Sequence, residues 1–118
     1  MNTIIYHNPR CSASRSTLEL IRAAGIEPQV IEYLKTPLAP AALRQLIAAA
    51  GLSVRQAMRE KEAVFAELGL ADQHIGEQAL LDAMQAHPVL LNRPFVVTPL
   101  GTRLCRPAET VAQILPPA

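Results

Sequence analysis

His7-Asn8-Pro9-Arg10-Cys11-Ser12-Ala13-Ser14-Arg15, which follows the apolar run Thr3-Ile4-Ile5-Tyr6, decides how the chain is read. β-Branched and aromatic residues that stop at a proline predict a short strand. From Ser14 to Arg22 the pattern turns helical, and Gly25 closes it. Cys11 is thereby placed in a strand-to-helix loop, at or just before a helix N-terminus. Unpaired N–H groups and the positive end of the helix dipole favour an anion there, whether a thiolate or a bound oxyanion. With His7, Arg10 and Arg15 close by in sequence, the thiol pKa is expected to fall below its free value of about 8.5, giving a nucleophile near neutral pH. A free cysteine is commonly a small buried hydrophobe. Such a residue has no need of flanking arginine, histidine and hydroxyl groups.

Composition narrows the class. A chain of 118 residues is the size of one domain and long enough for a real core. Half of it is hydrophobic and 18% is charged, which is a globular balance. No apolar run approaches the roughly 20 residues of a membrane span, and the N-terminus opens on a strand pattern rather than a signal peptide. The expectation is a cytoplasmic protein without membrane contact. Two cysteines, Cys11 and Cys105, are too few for a disulfide framework, and Ser14 stands where a Cys-x-x-Cys pair would need its second thiol. His7, His74 and His87 show no metal-ligand spacing, so no metal is expected. A net charge of +1 argues against nucleic acid as a partner. Among the basic residues only Lys35 and Lys61 are lysines. Arginine presents a planar fork suited to gripping oxyanions.

Along the chain, Gln29 to Tyr33 alternates as a second strand, completing a βαβ unit with an expected right-handed crossover. Lys35-Thr36-Pro37-Leu38-Ala39-Pro40 then breaks regular structure. Helices are predicted from Ala41 to Ala50 (stopped by Gly51), from a Ser53 cap through Met58, and from Ala63 to Leu70. A further helix runs from Gly76 to His87, with Ala79, Leu80, Ala83 and Met84 on one face. Phe95 to Thr98 and Thr102 to Cys105 read as a hairpin joined by Pro99-Leu100-Gly101. Arg106-Pro107 opens a last helix to about Leu115, with proline in its first turn. The order predicts an α/β sandwich around one mixed sheet, interrupted by helices.

This order resembles the thioredoxin-like fold, in which a cis-proline before the third strand faces a reactive cysteine. Arg93-Pro94 occupies the matching place. The likeness extends to motifs. His7-Asn8-Pro9-x-Cys11-x-x-Ser14-Arg15, Ser53-Val54-Arg55 with Arg59 downstream, Asn92-Arg93-Pro94, and Thr98-Pro99-Leu100-Gly101-Thr102-Arg103-Leu104-Cys105-Arg106-Pro107 resemble the glutaredoxin-coupled arsenate reductases. The resemblance implies a three-layer sandwich with a central mixed four-stranded sheet. It implies one domain over 1–118, with a thioredoxin-like core at 1–36 and 90–118 and a helical insertion at about 37–89.

It also implies reduction of arsenate to arsenite, with glutathione as co-substrate, glutaredoxin as partner and no bound cofactor. Cys11 would be the nucleophile, His7 would support its lowered pKa, and Ser14 would donate a hydrogen bond to the thiolate. Arg59, Arg93 and Arg106 match the three arginines that grip the oxyanion, while Arg15 and Pro94 would support the site. Resolution by external thiols accounts for the missing second cysteine in the loop. Cys105, ending an apolar strand, is expected to be packed rather than catalytic. Two other readings stand beside this one. A glutathione-dependent thiol reductase of another substrate would not need three oxyanion clamps. A redox regulator that binds RNA polymerase would be expected to carry the Cys-x-x-Cys pair that is absent here.

Overall fold

A computed structural model of the chain describes residues 2–117. Strand β1 (Ile4–His7) turns Ile5 and His7 into the interior and leaves Ile4 and Tyr6 half-buried, the alternation of a pleated strand. It lies parallel to β2 (Gln29–Glu32), with His7 opposite Glu32. On its other side it runs antiparallel to β3 (Phe95–Thr98), with Tyr6 opposite Phe95. A hairpin joins β3 to β4 (Gly101–Leu104), with Phe95 opposite Leu104. The sheet is therefore mixed and four-stranded in the order β2-β1-β3-β4, the mixed α/β architecture of a thioredoxin-like fold.

Register decides what meets at one end of this sheet. The row Tyr6, Phe95, Leu104 crosses three strands. Because β1 and β4 both run antiparallel to β3, the segments leaving β1 and β4 emerge where β3 begins. The Cys11 loop, Arg93-Pro94 and Arg106 share that end.

Helix α1 (Ser12–Ala23) makes the crossover from β1 to β2 and buries Ser14, Thr17 and Ile21. Gly25, at φ 83°, ends it. The Gly25 N–H donates to Arg22 O at 3.0 Å and the Ile26 N–H to Ile21 O at 3.3 Å, a Schellman closure that requires the left-handed conformation glycine adopts freely. Ile26 then packs on the core, where Ile5, Ile21, Val96, Cys105, Val111 and Ile114 are buried together. Val111 and Ile114 come from the C-terminal segment, whose 3-10 helix Ala108–Gln113 packs on α1.

The chain divides into two compact units, one made of the residues up to Thr36 and from Arg93 onward, the other of Pro37–Asn92. The second unit holds α2 (Pro40–Ala49), α3 (Ala63–Glu67) and α4 (Glu77–Ala86). There α2 packs on α4, and Leu43, Leu46 and Ile47 of the one and Leu80, Leu81 and Met84 of the other are buried. No helix among the described residues is long and apolar enough to cross a membrane.

Several local expectations are corrected. The inward face of α4 is Leu80, Leu81 and Met84; Ala79 is exposed and Ala83 only half-buried, because the two leucines set the buried stripe. The Ser53 Oγ does accept the Gln56 N–H at 3.2 Å, but the helix it starts is a single 3-10 turn, Arg55–Ala57. In the hairpin, Gly101 pairs with Thr98, so β4 begins one residue early and ends at Leu104. The last helix is 3-10 rather than α, and Pro107 precedes it with extended backbone instead of sitting in its first turn. Arg93-Pro94 is cis as the resemblance implies, and Arg106-Pro107 is cis as well.

Candidate active site

Cys11 is the N-cap residue of α1, extended at φ −90° and ψ 124°, and it is half-buried. The turn that delivers it is closed by its own N–H, which donates to Asn8 O at 3.0 Å. Its sulfur lies 3.6 Å from Arg106 Nη1, and that same nitrogen donates to Arg93 O at 3.0 Å. One guanidinium thus bridges the cysteine loop and the backbone before the cis-proline.

Burial alone would raise the Cys11 thiol. The Ser14 backbone N–H and hydrogen bonds from Arg93 and Arg106 outweigh it, with the Arg93 charge adding to them, and the pKa falls below the ordinary cysteine value. Cys105 is the opposite case. Fully buried in the core, with its sulfur 3.7 Å from Arg103 O, it is pushed up to about 12 by desolvation, which the Arg103 charge only partly offsets.

His7 and Ser14 are brought together in a way the sequence does not reveal. His7 Nδ1 lies 2.6 Å from Ser14 Oγ, and that oxygen also accepts the Asn8 N–H at 3.1 Å. The part of Ser14 that stabilises the thiolate is its backbone N–H, while its hydroxyl serves His7 and Asn8. Burial lowers the His7 pKa; the Glu32 charge raises it, and the charges of Arg22 and Arg15 lower it further. The groups that lower the Cys11 thiol are Ser14, Arg93 and Arg106, while the His7 side chain meets the Ser14 hydroxyl.

Arg15 covers the loop from outside, its Nη1 donating to Pro9 O at 3.0 Å. Pro94 is buried, and its carbonyl accepts the Cys105 N–H at 2.8 Å, tying the start of β3 to the end of β4. Arg59 lies in the helical unit, where its Nε is 3.3 Å from Glu62 Oε1 and its backbone N–H donates to Leu90 O. Its motif neighbour Arg55 is structural, donating to Leu70 O at 2.8 Å and Asp72 O at 2.6 Å. Among the described residues no cluster of three or more His, Cys, Asp or Glu is placed to hold a metal.

Asn8 is the residue that sequence reasoning passed over. It is buried, and its Oδ1 accepts the Arg10 N–H at 3.0 Å. An Asn-Pro step before a cysteine loop was the available signal, because asparagine bonds the backbone two residues on.

The sequence model of the ArsC family matches residues 6–114. The chain is 64% identical over 116 residues to an arsenate reductase of Rhizobium meliloti (strain 1021), covering 98% of this chain and 83% of that one. It is 55% identical over 117 residues to an arsenate reductase of Escherichia coli, covering 99% and 83%. A solved structure of an arsenate reductase from Vibrio cholerae superposes with a TM-score of 0.94 at 46% identity, covering 98% of each chain.

Proposed function

This chain belongs to the ArsC family, and from that premise we propose that it reduces arsenate to arsenite by attack of the Cys11 thiolate on arsenic. The observation that carries the reading is the Cys11 sulfur held 3.6 Å from Arg106 Nη1, with the Arg93 guanidinium also lowering its pKa. Arsenate is a tetrahedral oxyanion, and a thiolate attacking it brings two negative charges together. Guanidinium groups beside the sulfur neutralise that repulsion and bind the oxygens in pairs. Arg93 and Arg106 supply two such groups, and Arg59 is proposed as the third.

In the proposed sequence, sulfur forms a bond to arsenic as one As–O bond breaks, and the departing oxygen takes up protons to leave as water. Glutathione then adds its sulfur to arsenic as a second As–O bond breaks, and that oxygen leaves as water. The two arsenic-bound sulfurs join in a disulfide as both As–S bonds break. The electron pair left on arsenic makes it arsenic(III), which is hydrated and released as arsenite. Glutaredoxin resolves the resulting glutathione disulfide linkage by thiol exchange. Over the cycle two thiols become a disulfide and arsenic(V) becomes arsenic(III). Ser14 cannot resolve a disulfide, so the external thiols fill that role. No resident cofactor is required. A reducing compartment such as the cytoplasm suits a free low-pKa thiol.

The test is direct. Protein, arsenate, glutathione, glutaredoxin and a glutathione-recycling system are combined, and arsenite is measured. Arsenite should accumulate only when all components are present; none above the enzyme-free rate contradicts the reading.

A further inference from the structure

We propose that Asn8 is a positioning residue for Cys11, the residue that keeps the loop folded so that the sulfur stays within reach of the Ser14 N–H, Arg93 and Arg106. The inference rests on Cys11 being the reacting thiol, and it stands on the hydrogen bonds of the loop. Asn8 uses three groups at once. Its N–H donates to Ser14 Oγ at 3.1 Å, its carbonyl accepts the Cys11 N–H at 3.0 Å, and its Oδ1 accepts the Arg10 N–H at 3.0 Å. It therefore bonds both to the middle of the loop and to the first turn of α1.

Pro9 has no N–H to offer, and its carbonyl accepts Arg15 Nη1. The carbonyl of Cys11 accepts the Arg15 N–H at 3.0 Å. The Arg10 N–H, immediately before the nucleophile, is held by the Asn8 side chain. Asn8 is only 5% exposed, and burying an amide is favourable only where its hydrogen bonds are made. The His7 side chain reaches the same Ser14 hydroxyl that accepts the Asn8 N–H. Asn8 thus acts on sulfur through geometry, without touching it.

The experiment measures the rate of Cys11 alkylation by iodoacetamide against pH, in a Cys105→Ser background that leaves one thiol. Asn8→Ala removes the Oδ1 acceptor and should move the midpoint up by about half a pH unit or more, roughly a threefold loss of thiolate below the midpoint. Asn8→Ser offers a hydroxyl that can accept the same N–H more weakly, and should recover part of the shift. A midpoint for Asn8→Ala equal to that of the parent overturns the proposal, as does Asn8→Ser behaving no better than Asn8→Ala. If Asn8→Ala does not fold, Asn8→Ser decides alone: a raised midpoint supports the role and an unchanged one refutes it. Arsenate takes no part in this assay, so a failure of the arsenate reading would leave its outcome readable.

Discussion

Two thiols in one small chain are driven in opposite directions. Both lose hydration, but Cys11 gains a backbone N–H and two guanidinium groups, whereas the desolvation of Cys105 dominates. Iodoacetamide at pH 7 should therefore modify Cys11 and leave Cys105 unmodified in the native protein, as read by peptide mass spectrometry. Arg93→Ala and Arg106→Ala should each slow that reaction, because each removes a group that lowers the Cys11 pKa. His7 gives a second residue-scale expectation. Its folded pKa is depressed, so the unfolded chain takes up the proton first as pH falls. The contribution is fully present above about 6.5, the unperturbed histidine value, and is lost as pH falls from there through the folded value. Over that window, Tm of the wild type should fall more steeply on acidification than Tm of His7→Gln; parallel profiles would argue against a buried neutral imidazole.

Elements are where the sequence was most readable. Helix α1 shows why: Gly25 announces a stop, and the structure places it at φ 83° in a Schellman closure. Gly25→Ala should cost about 1 kcal/mol, since a Cβ there is strained in the left-handed region, and thermal unfolding should shift down accordingly. The strands were legible from their β-branched residues, and Gly51 again marked a helix end. Register was not legible, because pairing Gly101 with Thr98 depends on the hairpin turn and not on apolar alternation. The 3-10 character of Ala108–Gln113, the short segment that sets Val111 and Ile114 on the core, was not legible either. No periodicity carries that information. At the site, Cys11 stood out by its residue type and neighbours, whereas Arg59, Arg93 and Arg106 were singled out by the family resemblance. The links among His7, Asn8 and Ser14 join groups up to seven positions apart, and they appear only once strand and helix are folded together.

The molecule as a whole assembles its chemistry from topology. Antiparallel pairing on both sides of β3 brings the end of β1, the start of β3 and the end of β4 to one end of the sheet, so residues 11, 93 and 106 meet despite their separation in sequence. The core beneath them fixes that meeting. Ile21→Ala, which empties a fully buried position between α1 and the sheet, should cost about 2–5 kcal/mol in denaturant unfolding. Arg59, in the helical unit, carries the part of the proposed oxyanion grip that rests on the family resemblance. Arg59→Ala should lower kcat/KM for arsenate on the order of a hundredfold while leaving the alkylation midpoint of Cys11 in place, which would separate grip on the substrate from activation of the sulfur. The most direct trial of the central claim compares arsenite formation by wild type, Cys11→Ser and Cys105→Ser under saturating glutathione and glutaredoxin. Cys11→Ser should give none above background and Cys105→Ser most of the wild-type rate; equal losses, or turnover by Cys11→Ser, would contradict chemistry carried by one thiolate.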